Sequence, residues 1–121
     1  MQVNLHSNQG NQFTSYDENS VTINQSAYTT NIIVSNHSIE ELSITSIDDL
    51  DNDKLDTILK HKPDIIIFGT GNQIKYPSTE VLLKLQYSRI GFEVMSIAAL
   101  CRTFNYLIGE GRNVAALIVF N

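Results

Sequence analysis

The chain has one cysteine, two prolines and no tryptophan among its 121 residues. The lone Cys101 excludes an internal disulfide and any cysteine-rich zinc site. Basic residues are scarce too, eight Lys and Arg against thirteen Asp and Glu. Nucleic acid demands a dense positive patch, and the arginines here are dispersed at positions 89, 102 and 112, so nucleic acid is not an expected partner. His6, His37 and His61 stand too far apart for the short spacings of helical metal ligands. They read as solvated surface, and neither a metal site nor a cofactor is expected. The longest apolar stretch, residues 114–120, is far shorter than the roughly 20 residues needed to span a bilayer, so no transmembrane segment is expected. Met1-Gln2-Val3-Asn4 does not open like a secretory signal, which makes the cytoplasm the expected location. The glycosylation triplets at Asn24 and Asn36 then carry no weight.

What is present suffices for one folded domain. Hydrophobic residues make up 42% of the chain, enough to exclude wholesale disorder. Charge is uneven. Residues 1–61 set Lys54 and Lys60 against nine acids, a net of −7, while residues 62–121 carry six bases and four acids, a net of +2. Residues 1–12 are polar and Asn/Gln-rich and read as a loose arm, with a short edge strand at 2–5. Residues 13–16 and 21–23 flank Asp17-Glu18-Asn19-Ser20, the pattern of a hairpin. A turn at 24–26 leads to an expected third strand over 28–34, and a short strand is expected at 43–45. Leu50, Leu55, Ile58 and Leu59 then share one helical face, with acids early and Lys60, His61 and Lys62 late. Pro63 is expected to end that helix.

The second half reads as strand, helix, strand, helix, strand. Residues 64–68, apolar from Ile65 on and bounded by Pro63 and Gly69, have the mark of a strand buried on both faces. Ser78 caps a helix through Gln86, with Glu80 and Lys84 spaced for an i,i+4 pair. Residues 90–94 form the next strand. Ser96 opens a helix to about 108 whose core stripe is Ile97, Leu100, Cys101, Phe104 and Ile108. Gly109 or Gly111 stops it, and residues 114–120 are the last strand. The implied fold is a three-layer α/β single domain over 13–121. It has a mixed central sheet, helical crossovers and a β-rich N-terminal edge.

Chemistry-bearing residues are few. Gly69-Thr70-Gly71 follows a buried strand, where α/β proteins bind ligands at the carboxyl edge of the sheet. The third glycine of a dinucleotide fingerprint is replaced by Ile74, so a tight turn of positive φ is the expected use of these glycines. On the helix from Ser96, Ala98, Arg102, Asn105 and Gly109 form one stripe. An arginine within an apolar helix needs an acceptor, and a clamp onto Glu93 or Glu110 is expected. The other reading has Arg102 facing a crevice, receiving an anion or a partner's carboxylate. Gly69, Thr70, Gly71, Glu93, Ser96, Arg102 and Asn105 are therefore the candidate crevice residues. Cys101 sits on the apolar stripe with no histidine near it and reads as an inert thiol. No nucleophile elbow and no Walker lysine is present, so no catalytic residue is assigned.

The segments Gly91-Phe92-Glu93-Val94-Met95-Ser96, Ala98-Ala99-Leu100-Cys101-Arg102-Thr103-Phe104-Asn105 and Glu110-Gly111-Arg112 carry a resemblance to a known family. Pro63-Asp64, Gly69-Thr70-Gly71, Pro77 and Val114-Ala115-Ala116 fit the same pattern. Over about residues 13–120 the chain resembles a small α/β domain-of-unknown-function family. That family includes an assembly factor of mitochondrial respiratory complex I and an adipogenesis-associated protein. Ile97 departs from it, standing where the family usually has threonine. The resemblance implies a non-enzymatic protein-binding domain whose partner is a protein met during assembly of a membrane complex. The alternative is a binder of, or an enzyme acting on, a small anionic molecule in the crevice at residues 69–71 and 96–105.

Overall fold

A computed structural model describes residues 10–120 of the chain. The expected edge strand at 2–5 lies outside the described residues. Three strands, β1 (Phe13–Tyr16), β2 (Val21–Ile23) and β3 (Ser26–Tyr28), form an antiparallel meander. The β1–β2 turn is closed by Asp17, whose Oδ1 accepts from the Asn19 N–H at 2.9 Å and the Ser20 hydroxyl at 3.0 Å. The β2–β3 turn places Asn24 (φ 50°) and Gln25 (φ 84°) in left-handed conformations, as a two-residue hairpin of primed type requires.

The larger sheet has the order β5-β4-β8-β6-β7, with β4 (Ile32–Ser35), β5 (Ile39–Glu41), β6 (Ile65–Thr70), β7 (Gly91–Ser96) and β8 (Val114–Val119). Strands β6, β7 and β8 are mutually parallel, whereas β4 runs antiparallel to both β5 and β8. The sheet is mixed, as expected. Helices α1 (Asn52–Leu59), α2 (Thr79–Tyr87) and α3 (Ile97–Gly109) complete the fold. Alternation along β8 shows how the layers form. Val114, Ala116 and Ile118 face α3 and the small sheet, while Ala115, Leu117 and Val119 face α1 and α2. Each face builds its own core, one around Leu100 and Phe104, the other around Leu55, Ile58, Val81 and Leu85.

Local signals set the helix limits. Ser78 and Ser96 cap α2 and α3, accepting from the Val81 and Ala99 N–H groups respectively. Helix α3 ends in a Schellman motif: Gly111 N–H reaches Ile108 O at 2.9 Å and Arg112 N–H reaches Leu107 O at 3.1 Å. Gly111 takes φ +81°, the left-handed value this ending needs.

Several expectations are corrected. The third strand over 28–34 is two strands in different sheets, β3 and β4, because the chain leaves the small sheet after Tyr28. The strand expected at 43–45 lies earlier, at Ile39–Glu41, where it pairs with β4. The helix through Leu50 is broken: a 3-10 turn at Ile47–Asp49, capped by Ser46, precedes an extended Leu50, and Asp51 caps α1 anew. Helix α1 stops at Leu59, before Pro63. Lys84 pairs with Asp56 of α1 at 2.7 Å rather than with Glu80. His61 is not simply solvated surface, since its Nε2 lies 2.9 Å from Glu40 Oε1. Residues 10–12, assigned to the loose arm, are anchored. Asn11 is buried, its N–H on Asn36 O at 2.8 Å and its amide on Ser35 O at 2.9 Å.

Candidate functional site

Strands β6 and β7 end side by side, with Thr70 paired to Ser96 and Gly69 to Met95. The carboxyl edge therefore gathers the Gly69-Thr70-Gly71 segment and the start of α3, as the sequence implies. The roles of the individual residues differ from expectation. Gly69 and Thr70 belong to β6, and neither Gly69 nor Gly71 has a positive φ. Gly69 is a packing glycine: a Cβ there would lie 2.6 Å from Leu100 Cδ1 and 3.3 Å from Leu100 Cβ. Its bare backbone lets α3 settle onto the sheet. Thr70 is fully buried, its Oγ1 donating to Gln73 O at 2.6 Å and accepting from the Lys75 N–H at 3.0 Å. That hydroxyl folds the loop that follows and is not free for a ligand. The Ser96 hydroxyl is likewise engaged as the α3 cap.

Two depressions lie on this side of the molecule. The first, about 350 Å³, opens where Gly71, Asn72 and Ser96 face Tyr16, Asp17 and Glu18 of the β1–β2 hairpin. The second, about 190 Å³, lies between β1 and α3 and is lined by Tyr16, Cys101, Arg102 and Asn105 among others. Tyr16 is the wall they share. Glu93 lines neither; it is exposed on β7, a strand with no neighbour on its outer side among the described residues.

Asn105 is the anchor between the layers. Its Nδ2 donates to Phe13 O at 2.8 Å and its Oδ1 accepts from the Phe13 N–H at 2.9 Å. The Phe13 ring stands edge-on to Phe104, with centroids 5.2 Å apart. One amide and one aromatic pair thus fasten the small sheet to α3. Asn105 is structural in this arrangement.

Arg102 is not a buried clamp. It is exposed, it makes no ion pair with Glu93, Glu110 or any other acid among the described residues, and its Nη1 donates to Tyr16 Oη at 3.3 Å. Arg102 itself is exposed, unlike Asn105 of the same stripe, so its charge keeps its water and needs no internal acceptor. Tyr106, one turn further on, is 66% exposed, and Tyr16 is 45% exposed. The guanidinium thus meets the Tyr16 phenol across the layer boundary, on a helix that also exposes the Tyr106 phenol. Asp17 and Glu18 rim the neighbouring cleft, and the Asn19 N–H and Ser20 hydroxyl hold the Asp17 carboxyl below its usual range. Burial pushes the Cys101 thiol up to about 12, with Arg102 opposing only weakly, so the sulfur is not a thiolate at neutral pH. No group of three or more His, Cys, Asp or Glu side chains that could hold a metal ion occurs among the described residues.

Tyr16 was not legible as a site residue. It lies 86 positions from Arg102, and only the docking of the hairpin onto α3 brings the two together.

This is a three-layer α/β domain whose exposed site joins a hairpin to a crossover helix. Residues 13–119 match the family described as "Protein of unknown function (DUF498/DUF598)". The chain belongs to that family. It is similar to the "13 kDa major membrane protein" of Francisella tularensis, 34% identical over 76 residues, covering 60% of this chain and 62% of that protein. It is similar as well to human NADH dehydrogenase [ubiquinone] 1 alpha subcomplex assembly factor 3, 28% identical over 85 residues. That match covers 69% of this chain and 46% of the human factor, so the chain spans less than two-thirds of either relative. The NMR structure of the Xanthomonas campestris protein XCC1710 superposes with a TM-score of 0.84 at 30% identity, covering 91% of this chain and 84% of that one. Among the described residues no helix is long and apolar enough to cross a membrane.

Proposed function

We propose that this chain is a non-enzymatic binding domain that holds a partner protein during assembly of a membrane complex. A cytoplasmic location is part of the same reading. The observation that carries it is Arg102, bonded to Tyr16, exposed on the helix that also presents Tyr106 to solvent, and without an acid partner among the described residues. Arginine and tyrosine dominate the energetics of protein interfaces, because both present large, pre-shaped area with polar tips. A carboxylate on the partner would complete the guanidinium's unused donors. The assembly-factor relative supports a partner that is a protein, and so does the site's chemistry: the one thiol there is held protonated.

Affinity capture from native lysate tests the reading with wild type, Arg102→Glu and Tyr16→Ala side by side. Stoichiometric recovery of a protein by wild type and its loss with Arg102→Glu is the expected result. Recovery of the chain alone, or undiminished recovery with both variants, would refute it. The anionic-ligand alternative has less support, because Asp17 and Glu18 face the start of α3 across the larger cleft. A ligand there would raise the melting temperature with its concentration, whatever the state of Arg102.

A further inference from the structure

Among the described residues, strand β7 is an edge six residues long, paired on one side only, to β6. The opposite edge, β5, is three residues long and is guarded by Glu40 and Glu41, with Lys60 and His61 on Glu40. Natural sheets blunt such edges with charge, bulges or cover. On β7 the only charged residue is Glu93, which is exposed and has no partner among the described residues. Arg89, exposed just before the strand, has none either.

Between these opposite charges lies Gly91, and among the described residues nothing in its own chain requires a glycine there. Its φ is not positive, and a Cβ would meet no atom closer than 3.8 Å. Glycine inside a strand is destabilising unless another backbone or side chain must come close. The direction of the free backbone groups follows from the ladder. Gly91 N–H turns inward to Asp64 O at 3.2 Å, so by alternation Phe92 and Val94 turn their N–H and C=O groups outward. Ile90 N–H is already taken by Leu85 O at 3.0 Å.

We propose that β7 pairs with β7 of a second copy of this chain, antiparallel about a two-fold axis at Phe92. In that register Phe92 exchanges both its bonds with its own copy, and Val94 N–H reaches the Ile90 carbonyl of the second copy. The occupied Ile90 N–H is not needed. Glu93 lies opposite Gly91 of the second copy, where the missing side chain gives it room, with that copy's Arg89 one diagonal step to one side and its Glu93 one diagonal step to the other. The contact is made twice by symmetry. A two-fold axis one residue later would set Glu93 against Glu93, so charge selects the register. An unrelated strand would have to bring its own base to Glu93; this chain already carries one at the right offset.

Sedimentation velocity of the purified full chain across the micromolar range tests this. Wild type is expected to dimerise. Gly91→Val is expected to be monomeric with a melting temperature no lower than the wild-type monomer, since a Cβ there makes only ordinary contacts at 3.8 Å in its own copy and valine favours a strand. Glu93→Arg is expected to weaken association by about tenfold or more, and Arg89→Glu combined with Glu93→Arg to restore it. A wild type that stays monomeric overturns the proposal. A dimer insensitive to both Gly91→Val and Glu93→Arg overturns it equally, by placing the contact on another face.

Discussion

At Gly69 and Asn105 two residues read as crevice components turn out to hold layers together. Gly69 permits the contact of β6 with Leu100, so Gly69→Ala forces a methyl group to within 2.6 Å of a leucine carbon. Overpacking of this kind costs about 1–3 kcal/mol, and a lowered urea midpoint would show it. Asn105 occupies both backbone groups of Phe13. Asn105→Ala leaves an N–H and a C=O without partners in a half-buried place, an expected loss of roughly 2–3 kcal/mol. The same substitution should speed hydrogen exchange across β1 more than across β6, because only the small sheet depends on that amide. A stripe of helical spacing identifies which residues share a face. It does not tell whether that face meets a neighbour's backbone or water, and so it grouped Asn105 with Arg102.

At the scale of elements, the strand-helix-strand half was legible because each segment is bounded by its own chemistry. Ser78 and Ser96 cap helices, Gly111 ends one, and β6 up to Thr70 and the whole of β8 are apolar. The N-terminal half has weaker local signals. Asn24 and Gln25 both adopt positive φ without a glycine, and Ser26 to Ser35 are shared between two sheets with no charged residue to mark the crossing. Long-range pairs decide there. One is the link from β5 to the end of α1, where Glu40 meets His61 at 2.9 Å and Lys60 at 3.3 Å. The hydrogen bond from His61, with help from Lys60, lowers the Glu40 pKa from its ordinary 4.5. A folded-state value below the unfolded one adds stability above pH 4.5 that is lost as pH falls through the folded value. Glu40→Gln should flatten the acid limb of the stability profile below that pH; urea midpoints collected across pH would measure this.

For the whole molecule, the layers were foreseeable, and of the site only the half on the large sheet and α3. The fold class follows from the order of the elements, and the right-handed crossovers then place α2 and α3 on opposite faces. The site instead depends on where the small sheet docks, since Tyr16 and Arg102 are distant in sequence and share no pattern. The expectation that Arg102 is clamped assumed that an apolar helix buries its whole circumference; α3 buries Ile97, Leu100, Cys101 and Phe104 and leaves the Arg102–Tyr106 side to water. A binding role therefore requires that removing the guanidinium leave the fold alone. Urea unfolding of Arg102→Ala beside wild type measures that. A stability within about 0.5 kcal/mol of wild type is predicted, as at an ordinary exposed position. A loss of roughly 3–5 kcal/mol, the mark of a buried charge stripped of its partner, would contradict it and return Arg102 to the interior.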